Sequence, residues 1–199
     1  MVGVCLHLRM MPRGSSSMWI AIAIIGVVVL WVVVSYNLLV RARNMVSEAW
    51  SGIDVQLKRR HDLIPNIVEC VKAYSSHERE LFENVAQARA AGIGSDATPA
   101  RAEAENAVTG QLKSLLAVAE AYPELKANTN FLELQKGLTE VEDDIQYARR
   151  YYNASVRDYN IRAQSFPGLI IAGIFGFDRK DYFEIEYATE RQTPDAKFA

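Results

Sequence analysis

Cysteine is scarce. Cys5 and Cys70 are the only two in 199 residues, too few for a disulfide framework, and neither belongs to a metal-ligand motif. An excess of basic charge is also missing. Lys and Arg number 22 against 24 Asp and Glu, for a formal net charge of −2 and a pI near 6.0, which excludes the broad basic surface of a general nucleic-acid binder. There is no Gly-rich phosphate loop, and no stretch within 38–165 alternates with period two over a strand's length. Acidic residues are absent before position 40. The composition is 50% hydrophobic and 23% charged, too apolar for a disordered chain and too charged for a polytopic membrane protein. The length suits one domain of roughly 100–200 residues.

The apolar residues gather near one end. Residues 18–36, MWIAIAIIGVVVLWVVVSY, contain no charge. In a helix they span about 28 Å at ~1.5 Å per residue, close to the hydrocarbon thickness of a bilayer. Trp19 and Tyr36 stand near its two ends, where aromatic side chains anchor at the interface. A buried core helix would carry a polar stripe, and this run has none. A cleaved signal peptide would have a shorter apolar core and a small-x-small site, whereas Tyr36-Asn37-Leu38-Leu39-Val40-Arg41 follows. The expectation is a retained transmembrane anchor over 18–40. Arg41 and Arg43 follow it, against Arg9 and Arg13 before it, which tilts the bundle toward the cytoplasmic side. Met10, Met11 and Met18 are alternative starts, so 1–17 is expected to be a disordered leader or untranslated.

Beyond the anchor the pattern is helical. Trp50, Ile53, Leu57, Ile64, Ile67, Val68 and Val71 recur at steps of three, four or seven, with Pro65 predicting a kink near His61–Pro65. Ser75 or Ser76, with Glu78 as capping-box partner of Ser75, predicts the start of a second helix carrying Leu81, Phe82, Val85 and Ala88. Gly92, Gly94 and Asp96 stop it. Thr98-Pro99 opens a third helix with Val108, Leu112, Leu115, Leu116 and Ala119, closed by Tyr122-Pro123. The clearest stripe is Phe131, Leu134, Leu138, Val141, Ile145, Ala148, Tyr152, Ser155 and Tyr159, the seam of a long helix lying along its neighbours. The fold class is therefore all-α: an N-terminal transmembrane helix followed by an elongated antiparallel four-helix bundle over 41–187, with a polar tail at 188–199.

These residues resemble a known family. Tyr36-Asn37-Leu38-Leu39-Val40, the run from Glu48 through Trp50 and His61 to Asn66, Ala127 through Phe131 to Gln135, Ala148-Arg149-Arg150-Tyr151-Tyr152-Asn153, Tyr159-Asn160 and Phe166-Pro167…Gly176-Phe177 are similar to the signature blocks of the bacterial LemA family, in order and over about 36–187. The resemblance implies a single span of a bacterial plasma (inner) membrane and an elongated helical bundle. It brings no catalytic residue set.

Candidate chemistry is thin. His61-Asp62 could form a general-base pair and Arg59 with Arg60 an anion site. The structural alternative pairs this block with carbonyls freed by Pro65 and with acids of the long fourth helix. Asp54, Arg59, Arg60, His61, Asp62, Arg149 and Arg150 are thus a candidate structural polar cluster, with Asp54, Asp62, Arg149 and Arg150 suited to interhelical ion pairs. His61, His77, Glu48 and Glu69 could make a metal site only without the Glu-x-x-His spacing of di-iron bundles, which the chain lacks. Cys70 reads as a small core residue. Glu142-Asp143-Asp144 and Arg149-Arg150 read as a solvated helix face. Tyr147 and Tyr151, four apart and off the seam, form a candidate interaction surface.

Residues 166–177 are almost wholly apolar, too short to span a bilayer and too apolar for an exposed loop. Phe166, Ile170, Ile174 and Phe175 are the candidate contacts, with a cap over the bundle's end expected ahead of contact with the membrane. The expected function is a non-enzymatic, membrane-anchored module for protein–protein interaction or scaffolding; the alternative is a metal-dependent or hydrolytic enzyme using the His61/Asp62 region. A rod with solvated charges is expected to offer no concave polar site. Expected partners are the lipid bilayer and other membrane-associated proteins, with a homo-oligomer compatible. No cofactor, metal, nucleic acid or small-molecule substrate is expected.

Overall fold

The computed structural model describes residues 14–75, 77–93 and 98–183. The expectations for residues 1–13, Ser76, Gly94, Asp96 and the tail at 188–199 lie outside the described residues. Among the described residues six helices follow in order: α1 Gly14–Lys72, α2 Arg79–Ile93, α3 Thr98–Glu120, α4 Pro123–Lys126, α5 Thr129–Gln164 and α6 Gly168–Phe175. No strand occurs among the described residues.

The 59 residues of α1 amount to about 88 Å of helix. It leaves the apolar stretch and enters the bundle without interruption, and it also passes Pro65 unbroken. Proline lacks the N–H that would bond the His61 carbonyl one turn back. Arg89 of α2 fills that place, donating from Nε to His61 O at 2.9 Å. A side chain from the neighbouring helix thus repairs the ladder where a kink is predicted.

Helix α5 runs antiparallel to α1. Residue numbers fall along one as they rise along the other: Tyr74 meets Asn128 at 3.2 Å, Arg60 meets Glu142 at 2.6 Å, and the Trp50 and Tyr152 rings lie 5.4 Å apart. The Asn128 side chain accepts from the Phe131 N–H at 3.2 Å and caps the start of α5. Helix α3 follows the direction of α1, since Arg101 meets Asp54 while Glu105 and Thr109 meet Arg60 further on. Helix α2 returns the opposite way, bringing Arg89 back to His61.

Two cores result. The far core, away from residues 18–36, contains Ile64, Ile67, Val71, Val85, Val108, Leu112, Leu115 and Phe131 from α1, α2, α3 and α5. The near core joins Leu39, Val46, Ile53 and Leu57 to Val141, Ile145, Tyr152, Val156 and Tyr159, and is closed by Ile171, Ala172, Phe177 and Phe183. The four-helix cross-section covers the far half, and α3 enters the near core with its first turns, at Ala102. Nearer the apolar stretch, α6 and the extended residues 178–183 take the places of α2 and α3.

Local details depart from expectation in two places. Ser75 does not cap α2: its hydroxyl donates to Val71 O at 2.9 Å, finishing α1, and α2 begins at Arg79. Beyond Tyr122, a single extra turn, α4, buries Leu125 completely.

Candidate functional site

Charged residues stand on the buried seams of three helices. On α1 a buried seam runs through Ile53, Leu57, Arg60, Ile64, Ile67 and Val71, so Arg60 occupies a core position and is 1% exposed. On α3, Glu105 lies between Ala102 and Val108 in the same way. On α5 the seam passes through Arg149 between Ile145 and Tyr152, leaving Ala148 half-buried. Arg149 is therefore not part of a solvated face, and neither is Glu142.

The Arg60 guanidinium is held through its two terminal nitrogens, while its Nε is buried without a hydrogen-bond partner among the described residues. The terminal nitrogens donate to the Glu105 carboxylate in a short, charge-assisted bond, to Glu142 Oε1 at 2.6 Å, to Thr109 Oγ1 at 2.8 Å and to the Glu105 carbonyl at 3.3 Å. His61 Nε2 donates to the other Glu105 oxygen at 2.9 Å. Gly92 of α2 backs this pair so closely that a Cβ there would lie 3.0 Å from Glu105 Oε1 and from His61 Cε1. Burial alone would push the Glu105 carboxyl up, but the His61 hydrogen bond and the charges of Arg60 and His61 outweigh it and hold the group below the usual carboxylate range.

Beside this network lies a pocket of about 300 Å³, lined by Arg60, Glu105, Thr109, Glu142, Arg149 and Phe183 among others. A concave polar site thus exists where none is expected, because the seam charges bury rather than solvate. Its Arg60, Glu105 and Glu142 charges already pair with one another. A histidine oriented by a carboxylate is the geometry of a general base, yet His61 turns toward Glu105 and not toward Asp62. Asp62 is exposed and outside the cluster. Among the described residues no three His, Cys, Asp or Glu side chains come together as a metal site. What the arrangement does is bind α1, α3 and α5 in one register.

The other predicted cluster members disperse. Asp54 pairs with Arg101 at 2.5 Å, and Arg59 with Asp144 at 3.4 Å near the surface. Arg150 is exposed and lies over the Tyr147 ring, 4.5 Å from its centroid. Tyr147 and Tyr151 are 66% and 53% exposed.

A second arrangement holds the extended segment 178–183 against α5. Tyr152 and Tyr159, seven apart, donate to the carbonyls of Asp181 at 3.0 Å and Asp178 at 2.8 Å. The residues after them, Asn153 and Asn160, each donate and accept: Asn160 bonds the carbonyl and N–H of Lys180 at 2.9 and 3.0 Å, and Asn153 those of Phe183 at 3.2 and 2.9 Å. A side-chain amide carries both a donor and an acceptor, so each asparagine satisfies a backbone unit that has no ladder of its own. Burial raises the Tyr159 phenol pKa, with Asp178 adding to the effect and Arg43 opposing it. The Tyr-Asn pair repeating after seven residues is the sequence signal for this strap.

At the end of the bundle beside residues 18–36, α6 packs Ile171 and Ala172 inward. A Cβ at Gly168 would run into the Arg162 carbonyl oxygen, and Gly176 closes the helix in the left-handed region at φ 68°. Glycines thus bracket the fold-back. The outward residues stay open: Phe166 is 81%, Ile174 69%, Phe175 51% and Ile170 48% exposed. Phe175 and Phe177 lie edge-on to Tyr36, with ring centroids 4.9 and 5.7 Å away.

The model of the LemA family matches residues 49–198. The chain belongs to the LemA family. Among curated relatives, Magnetosome protein MamQ of Magnetospirillum gryphiswaldense is 25% identical over 203 residues, covering 88% of this chain and 75% of that protein. Magnetosome protein MamQ 1 of Paramagnetospirillum magneticum is 26% identical over 204 residues with the same coverage. Protein LemA of Metamycoplasma hominis is 28% identical over 136 residues, covering 67% of this chain and 58% of its own length. With family membership, the exposed apolar stretch of α1, the candidate membrane helix among the described residues, makes this an all-α membrane protein.

Proposed function

We propose that the protein is a non-enzymatic scaffold: a membrane-anchored bundle that presents the Tyr147–Tyr151 face laterally to other membrane-associated proteins. One observation carries the reading. The charges able to do chemistry are spent on one another inside the bundle, whereas these two large tyrosines, with Arg150 stacked on one of them, remain open on the long helix. Tyrosine offers contact area with a polar tip at low entropic cost, which suits a partner surface.

The uninterrupted α1 sets the height of that face. Tyr147 and Tyr151 stand across from the region of α1 around Ile53, which is seventeen residues beyond Tyr36, or about 25 Å at ~1.5 Å per residue. A rigid stem therefore holds the surface at a fixed distance from the bilayer. The same reading treats 18–40 as the anchor and 41–187 as the bundle, on the cytoplasmic side of a bacterial plasma membrane. Arg41 and Arg43 directly after the span support that orientation.

The test is a photo-crosslinking residue placed at 147 or 151 in the full chain, in intact cells. Discrete products are expected at both sites, lost from the 147 probe on Tyr151→Glu and from the 151 probe on Tyr147→Glu, while the melting temperature stays within the range of a surface change. A product of two copies of the chain would identify self-association as the interaction. Absence of products at both positions overturns the reading.

A further inference from the structure

We infer that α6 is seated in the lipid interface beside the span, with the face bearing Phe166, Leu169, Ile170, Ile174 and Phe175 turned into the bilayer. The first support is composition. Helix α6, GLIIAGIF, has no polar side chain, yet of its residues only Ile171 and Ala172 are buried. A helix apolar all round belongs in a core or in lipid, and Leu169, Ile170, Ile174 and Phe175 are 57%, 48%, 69% and 51% exposed.

The second support is depth. Within residues 18–36 only Val32 and Ser35 are not exposed, and Val32 packs on the same core that holds Ile171 and Ala172. Val32 lies four residues before Tyr36, or about 6 Å deeper at ~1.5 Å per residue. That matches the roughly 5–10 Å to which interfacial helices bury their apolar faces. The patch is therefore continuous with the span and at a depth where lipid is the surrounding medium.

The third support is charge. Exposed Arg41 and Arg43 follow the apolar stretch on α1, Arg162 stands in the last turn of α5 and Arg179 follows α6, four cations in the segments next to the patch against Asp178 and Asp181. Arg43 itself lies over the Phe177 ring, 5.2 Å from its centroid. Exposed arginines next to an apolar patch fit anionic headgroups.

The experiment uses the full chain with Cys5→Ser and Cys70→Ala, carrying one environment-sensitive fluorophore through Ile174→Cys, Ile170→Cys or, as control, Tyr147→Cys. Each is reconstituted into phosphatidylcholine vesicles with and without phosphatidylglycerol. Labels at 170 and 174 should be severalfold less quenched by aqueous iodide than the label at 147 and more quenched by lipid-borne nitroxides, with the contrast larger in the anionic vesicles. Labels at 170 and 174 as open to iodide as the one at 147 would overturn the inference. So would shielding from iodide without quenching by nitroxide lipids, which would mean that protein, such as a second copy, covers the patch.

Discussion

The far and near halves of the bundle bury similar stripes by different means. In the far half, α1, α2, α3 and α5 close on one another around apolar seams that also carry the buried Arg60–Glu105–His61 network. In the near half, α1 and α5 continue with only the start of α3 against them, at Ala102, and the rest is covered by α6 and a strap with no backbone ladder. A helix satisfies its own backbone and can be laid down with apolar contacts alone. An extended segment cannot, so the near half needs tyrosines and asparagines at a seven-residue repeat to receive it.

The largest effect should come from breaking the far half. Glu105→Ala leaves Arg60 buried with Glu142 as its one carboxylate, and removing one member of a buried pair costs about 3–5 kcal/mol. Denaturant unfolding in detergent measures it. The acid dependence follows from the same residue. Glu105 is held below its usual value of 4.5 in the folded protein, so its contribution is fully present above that value and lost as pH falls through the depressed one. Glu105→Gln should flatten the acid limb of a melting-temperature series.

The near half should break more gently and elsewhere. Asn160→Leu strips both bonds from Lys180, an expected loss of about 1–3 kcal/mol. Hydrogen exchange should show the Lys180 amide accelerated while α2 and α3 hold. Asn153→Leu should do the same to Phe183, less strongly because Asn153 is only half-buried. Arg59→Ala marks the lower bound: its pair with Asp144 is about half exposed on both sides, 51% and 47%, so the change should stay within about 1 kcal/mol.

Much of this was legible in the sequence, and the gaps have physical reasons. Apolar periodicity placed the span and the four main helices, because burial of a stripe leaves its spacing in the chain. The same periodicity also passed through Arg60, Glu105 and Arg149. Charge at a seam position reads as an interruption until a partner helix supplies the opposite charge, and Glu105 sits on a helix whose register to α1 no local pattern reveals. Pro65 signalled a freed carbonyl, but not that Arg89 would take it. Asn153 and Asn160 follow Tyr152 and Tyr159 at a seven-residue repeat, but that pattern does not name their partners, which are backbone groups that any sequence provides.

Hydrogen exchange on the full chain in lipid, comparing the parent with the Asn153→Leu/Asn160→Leu double variant, tests most directly the claim that the two halves are closed independently. Faster exchange confined to residues 178–183, with α2 and α3 unchanged, is the expected result. Equal acceleration through α2 and α3 would contradict it.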